Sequence, residues 1–291
     1  MASTPARDRR HDAYFEANRR NWDDRARLHA QDSSGYALDR YRDDPQLISG
    51  VVDFDCKLLG DVDDLDVVHL QCHIGTDTLS LARLGARVTG VDQSTASLEA
   101  ARTLFSSVDA PGDFVESNVY DAVTALGDRR FDLVYTGVGA INWLPDVMRW
   151  AEVCAALLRP GGRFFMREGH PMAYTLDDTV SSDDADAALR LKYPYFETDE
   201  PLTFDDDATY VDTGGATVAN SVHHEWNHAI GEVFTALTDA GLTVTTLVEH
   251  RDLEWKMVAN QVERDGRWYL PDHQLDLCPM MYTIAATKPD E

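Results

Sequence analysis

Apolar positions change their period along this chain, and the changes predict its elements. Over 12–29, Tyr14, Phe15, Asn18, Trp22 and Ala26 recur three or four residues apart, predicting an amphipathic helix with a polar outer face. A second helix is expected at about 45–59, ahead of a loop over 60–66. From 67 to about 170, short apolar runs alternate with helical patterns near 76–84, 94–107 and 144–158. That alternation is the signature of a parallel sheet with right-handed crossovers. Between about 171 and 227 it gives way to Asp177-Asp178, Asp183-Asp184 and Asp205-Asp206-Asp207, interleaved with Tyr193-Pro194-Tyr195-Phe196 and Thr209-Tyr210-Val211. This stretch reads as an insertion of short strands and solvated acidic loops. The core pattern resumes with a helix over 228–240 closed by Gly241, a strand over 242–250 and a terminal strand over 281–287.

The most specific local signal is Val67-Val68-His69-Leu70-Gln71-Cys72-His73-Ile74-Gly75, followed by a helical stretch from Thr76 and a second strand that ends in Asp92. A buried strand there delivers the chain to a turn. Gly75 is expected to let backbone approach a ligand, at which the following helix aims its N-terminal amides and positive dipole end. Asp92, at the tip of the next strand, is placed to grip a ribose diol, because an ionised carboxylate accepts two hydroxyl hydrogen bonds at once. The pattern G-x-G-x-x-G is absent, and Gln71 and His73 carry bulk where glycines would stand, so a nucleoside cofactor without a pyrophosphate is favoured.

These residues resemble motif I of the class I S-adenosylmethionine-dependent methyltransferases, D/E-x-G-x-G-x-G followed by an acidic residue ending the second strand. The chain keeps the last glycine as Gly75 and departs from the pattern at His69, Gln71 and His73. Its Leu-Gln-Cys-His-Ile-Gly variant is similar to a small-molecule subgroup. Phe114 to Asp121 resembles the third strand end, Phe131 to Gly139 the fourth strand, and Leu157 to Met166 the turn into the fifth. The resemblance is close over about 60–170 and looser over 231–288.

It implies an α/β, Rossmann-like, doubly wound seven-stranded sheet whose last strand is antiparallel between strands five and six. It further implies a helical cap over 1–60 and a core over 61–291 with a substrate-side insertion at 171–227. It also implies S-adenosyl-L-methionine as cofactor, held by Trp22, Gln71, Cys72, His73, Gly75, Asp92, Gln93, Asn118, Val119 and Thr136. Within that set, the Asn118 side chain and the next backbone amide would hold adenine. Gln71 and His73 would touch the methionine carboxylate or hydrogen-bond the turn. The N-terminal helix either packs on the core or folds over the cofactor, with Trp22 and Arg25 the residues to test.

Composition narrows the partners. A net charge of −25 argues against nucleic acid as a substrate, since phosphate tracking needs a basic stripe. The acids are 38 Asp against 13 Glu and the bases 22 Arg against only 4 Lys, a balance resembling proteins of salt-loving organisms, with a codon bias as the rival explanation. No apolar run approaches 18 residues, and Arg7, Arg9 and Arg10 have none behind them, so neither a membrane span nor a secretory leader is expected. A cytoplasmic monomer or homodimer is the expectation. Cys56, Cys72, Cys154 and Cys278 lack C-x-x-C spacing and read as buried hydrophobes rather than a disulfide framework or a zinc site.

Methyl transfer from a sulfonium requires alignment of the two reactants, exclusion of water and, for a protic acceptor, a base. The acceptor is expected over the carboxyl ends of the strands, near Trp143, Glu168, His170, Met172 and Tyr174. His170 is the candidate general base, or else a loop histidine without catalytic duty. His224 is the second candidate, in a substrate-pocket or capping role. It lies four residues before His228, so a helix would put both on one face, yet the order is not H-E-x-x-H and no metal is expected. The leading function is methyl transfer to an O, N or carboxyl group of a small metabolite. A non-catalytic S-adenosylmethionine-binding protein is the alternative, and a nicotinamide oxidoreductase is disfavoured.

Overall fold

The computed structural model describes residues 6–31, 34–179 and 188–290. The acidic pair Asp183-Asp184 lies outside them. Three helices precede the sheet: α1 (Ala6–His29), α2 (Leu38–Asp43) and α3 (Gly50–Leu59). The single helix expected over 45–59 is thus corrected at its start. Ser49, in extended backbone, accepts a hydrogen bond from the Val52 amide and caps α3 there, while Pro45 and Gln46 form a turn.

Strand and helix then alternate as β1 (Asp66–Leu70), α4 (Thr76–Arg83), β2 (Arg87–Asp92), α5 (Thr95–Ser107), β3 (Asp113–Glu116), α6 (Ala122–Leu126), β4 (Phe131–Thr136), α7 (Val147–Leu157) and β5 (Leu158–Gly169). The remainder comprises β6 (Leu202–Asp205), β7 (Val222–Glu225), α8 (Ile230–Asp239), β8 (Thr243–His250), β9 (Asp252–Leu253), β10 (Val262–Arg264), β11 (Arg267–Tyr269) and β12 (Met281–Thr287).

The main sheet runs β3-β2-β1-β4-β5-β12-β8. β1 to β5 are mutually parallel, and β12 is antiparallel to both neighbours. This is the doubly wound, seven-stranded arrangement with an antiparallel last strand that the sequence predicted. Both faces are covered. Val68, Leu70, Val134, Phe164 and Met166 pack with Trp150 in one apolar cluster, while Val67, Leu133, Tyr135 and Phe165 belong to the other. The alternation of β1, β4 and β5 residues between the clusters is the two-residue period of a strand buried on both sides, and it explains their nearly unbroken apolar sequences. β6 pairs with β7, and β9 to β11 form a small separate sheet that the sequence pattern did not predict. Among the described residues, no helix is long and apolar enough to cross a membrane.

α1 is attached on two sides. The Asp23 Oδ1 accepts from the Ser94 hydroxyl at 2.7 Å and the Ala96 amide at 3.2 Å, fastening α1 to the start of α5. Asn18 exchanges two 2.8 Å hydrogen bonds with the backbone of His224, and Asn21 donates to the Asn220 carbonyl. Two buried amides thereby occupy backbone groups of β7 and of the turn before it, which is why polar residues lie on the inner face of this helix.

Candidate active site

The sheet order reverses between β1 and β4, so the loops leaving their carboxyl ends diverge and open a crevice. In the loop after β1, Gln71 and His73 have φ of 56° and 52°, in the left-handed region that glycine enters without cost. The backbone thus adopts a conformation suited to glycine while keeping two side chains. Gln71 Nε2 donates to the Ala140 carbonyl at 2.7 Å, tying this loop to the one after β4. The His73 amide donates to Asp92 Oδ2 at 2.9 Å, and the Ser94 amide to Oδ1 at 2.8 Å. Each carboxylate oxygen thus has capacity for a further hydrogen bond, and the residue lines the crevice. Burial raises the Asp92 pKa to about 6.

The expected role of Gly75 is corrected. It caps α4 at φ +82°, but a Cβ there would lie 2.8 Å from Ala101 Cβ, and the residue does not line the cavity. Its lack of a side chain serves the close approach of α4 to α5. Thr136 likewise sits behind the wall, fully buried at the end of β4, and Gly137 to Ala140 face the cavity in its place. The remaining expected cofactor residues, Trp22, Gln71, Cys72, His73, Asp92, Gln93, Asn118 and Val119, all line one cavity. Asn118 Oδ1 accepts from the Tyr120 amide at 3.0 Å, and its amide nitrogen lies 3.4 Å from Gln93 Oε1. Cys72 is buried and its thiol is pushed well above its usual pKa by that burial, as befits packing rather than thiolate chemistry.

Glu168, expected to touch the acceptor, organises the loop after β4 instead. Its oxygens accept from the amides of Gly139 (2.7 Å), Ala140 (2.7 Å), Ile141 (3.0 Å) and Gly169 (2.6 Å). Burial raises its pKa, against the lowering effect of those four amides.

Sequence reasoning missed the residues that cover the crevice. Tyr36, after α1, and Tyr210, between β6 and β7, touch hydroxyl to hydroxyl at 2.7 Å. Beneath them His73 Nε2 lies 3.1 Å from His29 Nδ1, and His29 Nε2 lies 2.7 Å from the Thr209 hydroxyl. Burial pushes the His73 pKa well down and that of His29 to about 3, so both rings are neutral. A second cavity, of about 930 Å³, shares Trp22, Tyr36, Asp77, Trp143 and Tyr210 with the first. Tyr174, Tyr193, Phe204, His223, Glu225, Trp226 and Trp268 extend its walls.

Both expected catalytic histidines point elsewhere. His170 lines neither cavity: its Nε2 is 2.9 Å from Glu249, and its Nδ1 accepts from the Met172 amide. Its pKa is lowered by burial, which Glu249 opposes. His224 is turned away because β7 is a strand, in which neighbours face opposite sides. Its Nδ1 meets the Thr203 hydroxyl at 2.9 Å and its ring lies 4.6 Å from that of Tyr14. His223, its neighbour, faces the larger cavity, stacked on Phe204 and 5.4 Å from the Trp143 ring. The helical face expected for His224 and His228 does not exist, since His228 precedes α8. His228 stands with Glu197 and Glu232, yet its Nδ1 meets Glu197 at 2.8 Å and its Nε2 the carbonyls of Ile141 and Leu144, which occupies both ring nitrogens.

Comparison with known proteins places this geometry. Residues 68–164 match the family model described as a methyltransferase domain. The ubiquinone biosynthesis O-methyltransferase of Methylobacterium sp. (strain 4-46) is 34% identical over 101 residues, 35% of this chain and 39% of that protein. Its counterpart from Methylobacterium nodulans is 28% identical over 185 residues, 61% and 67% of the two chains. The chain thus spans about two fifths to two thirds of the length of these relatives. Among solved structures, an S-adenosylmethionine-dependent methyltransferase from Mesorhizobium loti superposes with a TM-score of 0.55 at 19% identity, covering 80% of this chain and 94% of that one. A putative one from Listeria monocytogenes gives 0.56 at 20% identity, covering 82% and 98%. The matched segment runs from β1 into β5, the part of the sheet whose loops open the crevice. The sheet order and the matched segment agree: residues 68–164 are similar to a methyltransferase domain, and the fold is that of the solved structures it superposes on.

Proposed function

We propose that the protein transfers a methyl group from S-adenosyl-L-methionine to an O, N or carboxyl group of a small metabolite, with the cofactor in the smaller cavity and the acceptor in the larger. The observation that carries this reading is the common wall of the two cavities, Trp22, Tyr36, Asp77, Trp143 and Tyr210, standing over the carboxyl ends of β1 and β4. The donor set suits a phosphate-free nucleoside. Asp92 offers a lone pair on each oxygen for a sugar diol, and among the described residues that wall the smaller cavity there is no Lys or Arg to hold a pyrophosphate.

In this reading Asp92 holds the ribose, and Gln93, Asn118 and Val119 flank the adenine. Gln71, Cys72 and His73 bound the amino-acid end, while Gly75 and Thr136 support the site from behind. The cofactor supplies a methyl group already activated by positive sulfur. Trp22 and Trp143, with rings 5.0 Å apart, exclude water between the cavities. His223 replaces His170 and His224 as the base. Its Nδ1 lies 3.1 Å from the Ser221 carbonyl, an acceptor only, so that nitrogen carries the proton and donates. Nε2 is left to take the acceptor's proton, with a Glu225 carboxylate oxygen 3.4 Å away.

The larger cavity draws walls from both 1–60 and 171–227, which supports a cap and a substrate-side insertion on a 61–291 core. The O-methyltransferase names of the relatives favour hydroxyl acceptors as the first to test. A cytoplasmic, salt-adapted monomer or homodimer that does not act on nucleic acid completes the proposal.

The test is calorimetric titration with S-adenosylhomocysteine and with NAD, then methyl-group transfer from labelled cofactor to a panel of phenols, alcohols, amines and carboxylates. Binding of the homocysteine and not of NAD is expected. With the acceptor so found, His223→Asn should lower kcat by about 10²–10⁴-fold and leave cofactor affinity unchanged, whereas His170→Asn and His224→Asn should stay near wild type. Cofactor binding without transfer to any acceptor would leave a sensor rather than an enzyme.

A further inference from the structure

We propose that Asp77 binds the α-ammonium of the cofactor's amino-acid moiety, an assignment that rests on the methyltransferase reading above. S-adenosylmethionine carries a sulfonium, an ammonium and a carboxylate. The charged side chains lining the smaller cavity are two carboxylates, Asp77 and Asp92, and they stand at different ends. Asp92 ends β2, accepts the amides of His73 and Ser94, and lies beside Gln93 and Asn118, at the nucleoside end. Asp77 is in the first turn of α4, across from Gly137 in the loop after β4.

The space between those elements is kept open. A Cβ on Gly137 would lie 3.6 Å from Asp77 Oδ2 and 3.3 Å from His69 Nε2, so any side chain there would project between the two. Arg167 favours the charged form of Asp77, and that guanidinium is already paired with Asp55 and Glu254. Burial raises the Asp77 pKa to about 6, the Ser49 side chain lowers it, and Asp55 and Glu254 raise it further. Arg25, Arg40 and Lys256 line the larger cavity, whereas the described residues around the smaller one include no Lys or Arg, so a half-buried carboxylate there is complementary to a cation brought by the ligand.

His69 cannot supply that charge. It occupies the β1 position where the resembled motif has an acid, it is buried, and burial lowers its pKa to about 3. Its Nδ1 lies 2.8 Å from the Thr78 hydroxyl; donating there, the neutral ring leaves the Nε2 lone pair facing the same space. The carboxylate has in effect moved from β1 to α4, with a neutral acceptor left behind.

The experiment compares S-adenosylhomocysteine with 5′-methylthioadenosine, the same nucleoside thioether without the amino-acid group, by calorimetric titration of wild type and Asp77→Asn. Loss of a hydrogen-bonded charge pair should weaken the homocysteine by about 10- to 100-fold and change methylthioadenosine by less than about twofold. Normal methylthioadenosine binding also certifies the variant's fold. Should the Asn chain not fold, Asp77→Glu carries the same comparison with a displaced carboxylate and a smaller selective loss. Equal affinity of wild type and variant for the homocysteine, or parallel loss of both ligands, overturns the assignment of Asp77 alone. A wild type that binds neither ligand overturns the methyltransferase reading and this proposal with it.

Discussion

Replacing Asp92 by Asn separates the two roles of this carboxylate. In the free protein Oδ1 and Oδ2 each accept one backbone amide, at 2.8 and 2.9 Å. An Asn side chain has a single oxygen, so one of these N–H groups would face an NH₂, at a cost of about 1–3 kcal/mol. In the opposite direction, burial has raised the pKa from 3.8 to about 6. A shift of that size means that holding the charge in the folded state above pH 6 costs on the order of 3 kcal/mol, which the neutral amide removes. The sign follows from linkage: the folded state takes up the proton more readily than the unfolded one, so the penalty is complete above pH 6 and fades as the pH falls from 6 towards 4.

The two effects nearly cancel, and the variant should melt within a few degrees of wild type at pH 7.5. Ligand affinity has no such compensation. Losing one of two hydroxyl-to-carboxylate hydrogen bonds should weaken 5′-methylthioadenosine by about 10- to 150-fold. This ligand lacks the ammonium and so does not report on Asp77. Its affinity for wild type should also fall about tenfold between pH 7.5 and 5, because a group titrating near 6 is only about one-tenth ionised at pH 5, and the Asn variant should lose that dependence. Unchanged affinity in the variant, or a flat wild-type pH profile, would refute the assignment of Asp92 to the sugar.

Two further outcomes test the scaffold and the surface. Glu168→Gln presents an NH₂ to amides that now meet a carboxylate oxygen, and should lower stability by about 2–5 kcal/mol while loosening residues 137–141; thermal unfolding and S-adenosylhomocysteine affinity should fall together, and loss of neither would contradict the anchoring role. The net charge of −25 predicts a melting temperature that rises between 0.1 M and 2 M potassium chloride, as the Debye length contracts from about 10 Å to a few ångströms and self-repulsion is screened; a constant value would reject salt adaptation.

What could be read in the sequence was what local geometry decides. β1, its turn, α4 and β2 are consecutive, so a strand-turn-helix-strand pattern sufficed to put Asp92 at a strand tip and Gln71, Cys72 and His73 in the loop before a helix. Gly75 shows the limit. A glycine at a helix start was visible, but the reason for it is Ala101, on the facing helix α5, which no local pattern names. The histidines of β7 show another. In Val222-His223-His224-Glu225-Trp226 the strand parity decides which ring faces inward, and reading the segment at helical spacing selected His224 where alternation selects His223. Asp77 escaped notice because an acidic residue in a first helical turn is explained well enough by the helix dipole.

The cover over the crevice was illegible for a stronger reason: its contacts join segments that nothing in the sequence relates. His73 meets His29 across 44 positions and His29 meets Thr209 across 180, so a row of neutral polar groups runs from the loop after β1, through α1, to the loop between β6 and β7. α1 is fastened to α5 by Asp23, to β7 by Asn18 and to the segment just before β7 by Asn21. Each attachment uses a polar residue on the inner face, which periodicity alone reads as a blemish in an amphipathic pattern. The cap therefore does more than shield the core. Asp23 hydrogen-bonds Ser94 and Ala96, while the Ser94 amide is one of the two donors holding Asp92, so the helix that carries Trp22 over the cavity is anchored beside the carboxylate assigned to the sugar. The wall between the two cavities and the carboxylate of Asp92 are thus held through one shared residue, Ser94, whose hydroxyl fastens α1 and whose amide meets Asp92, and that joint construction is the physical reason to treat both cavities as one site.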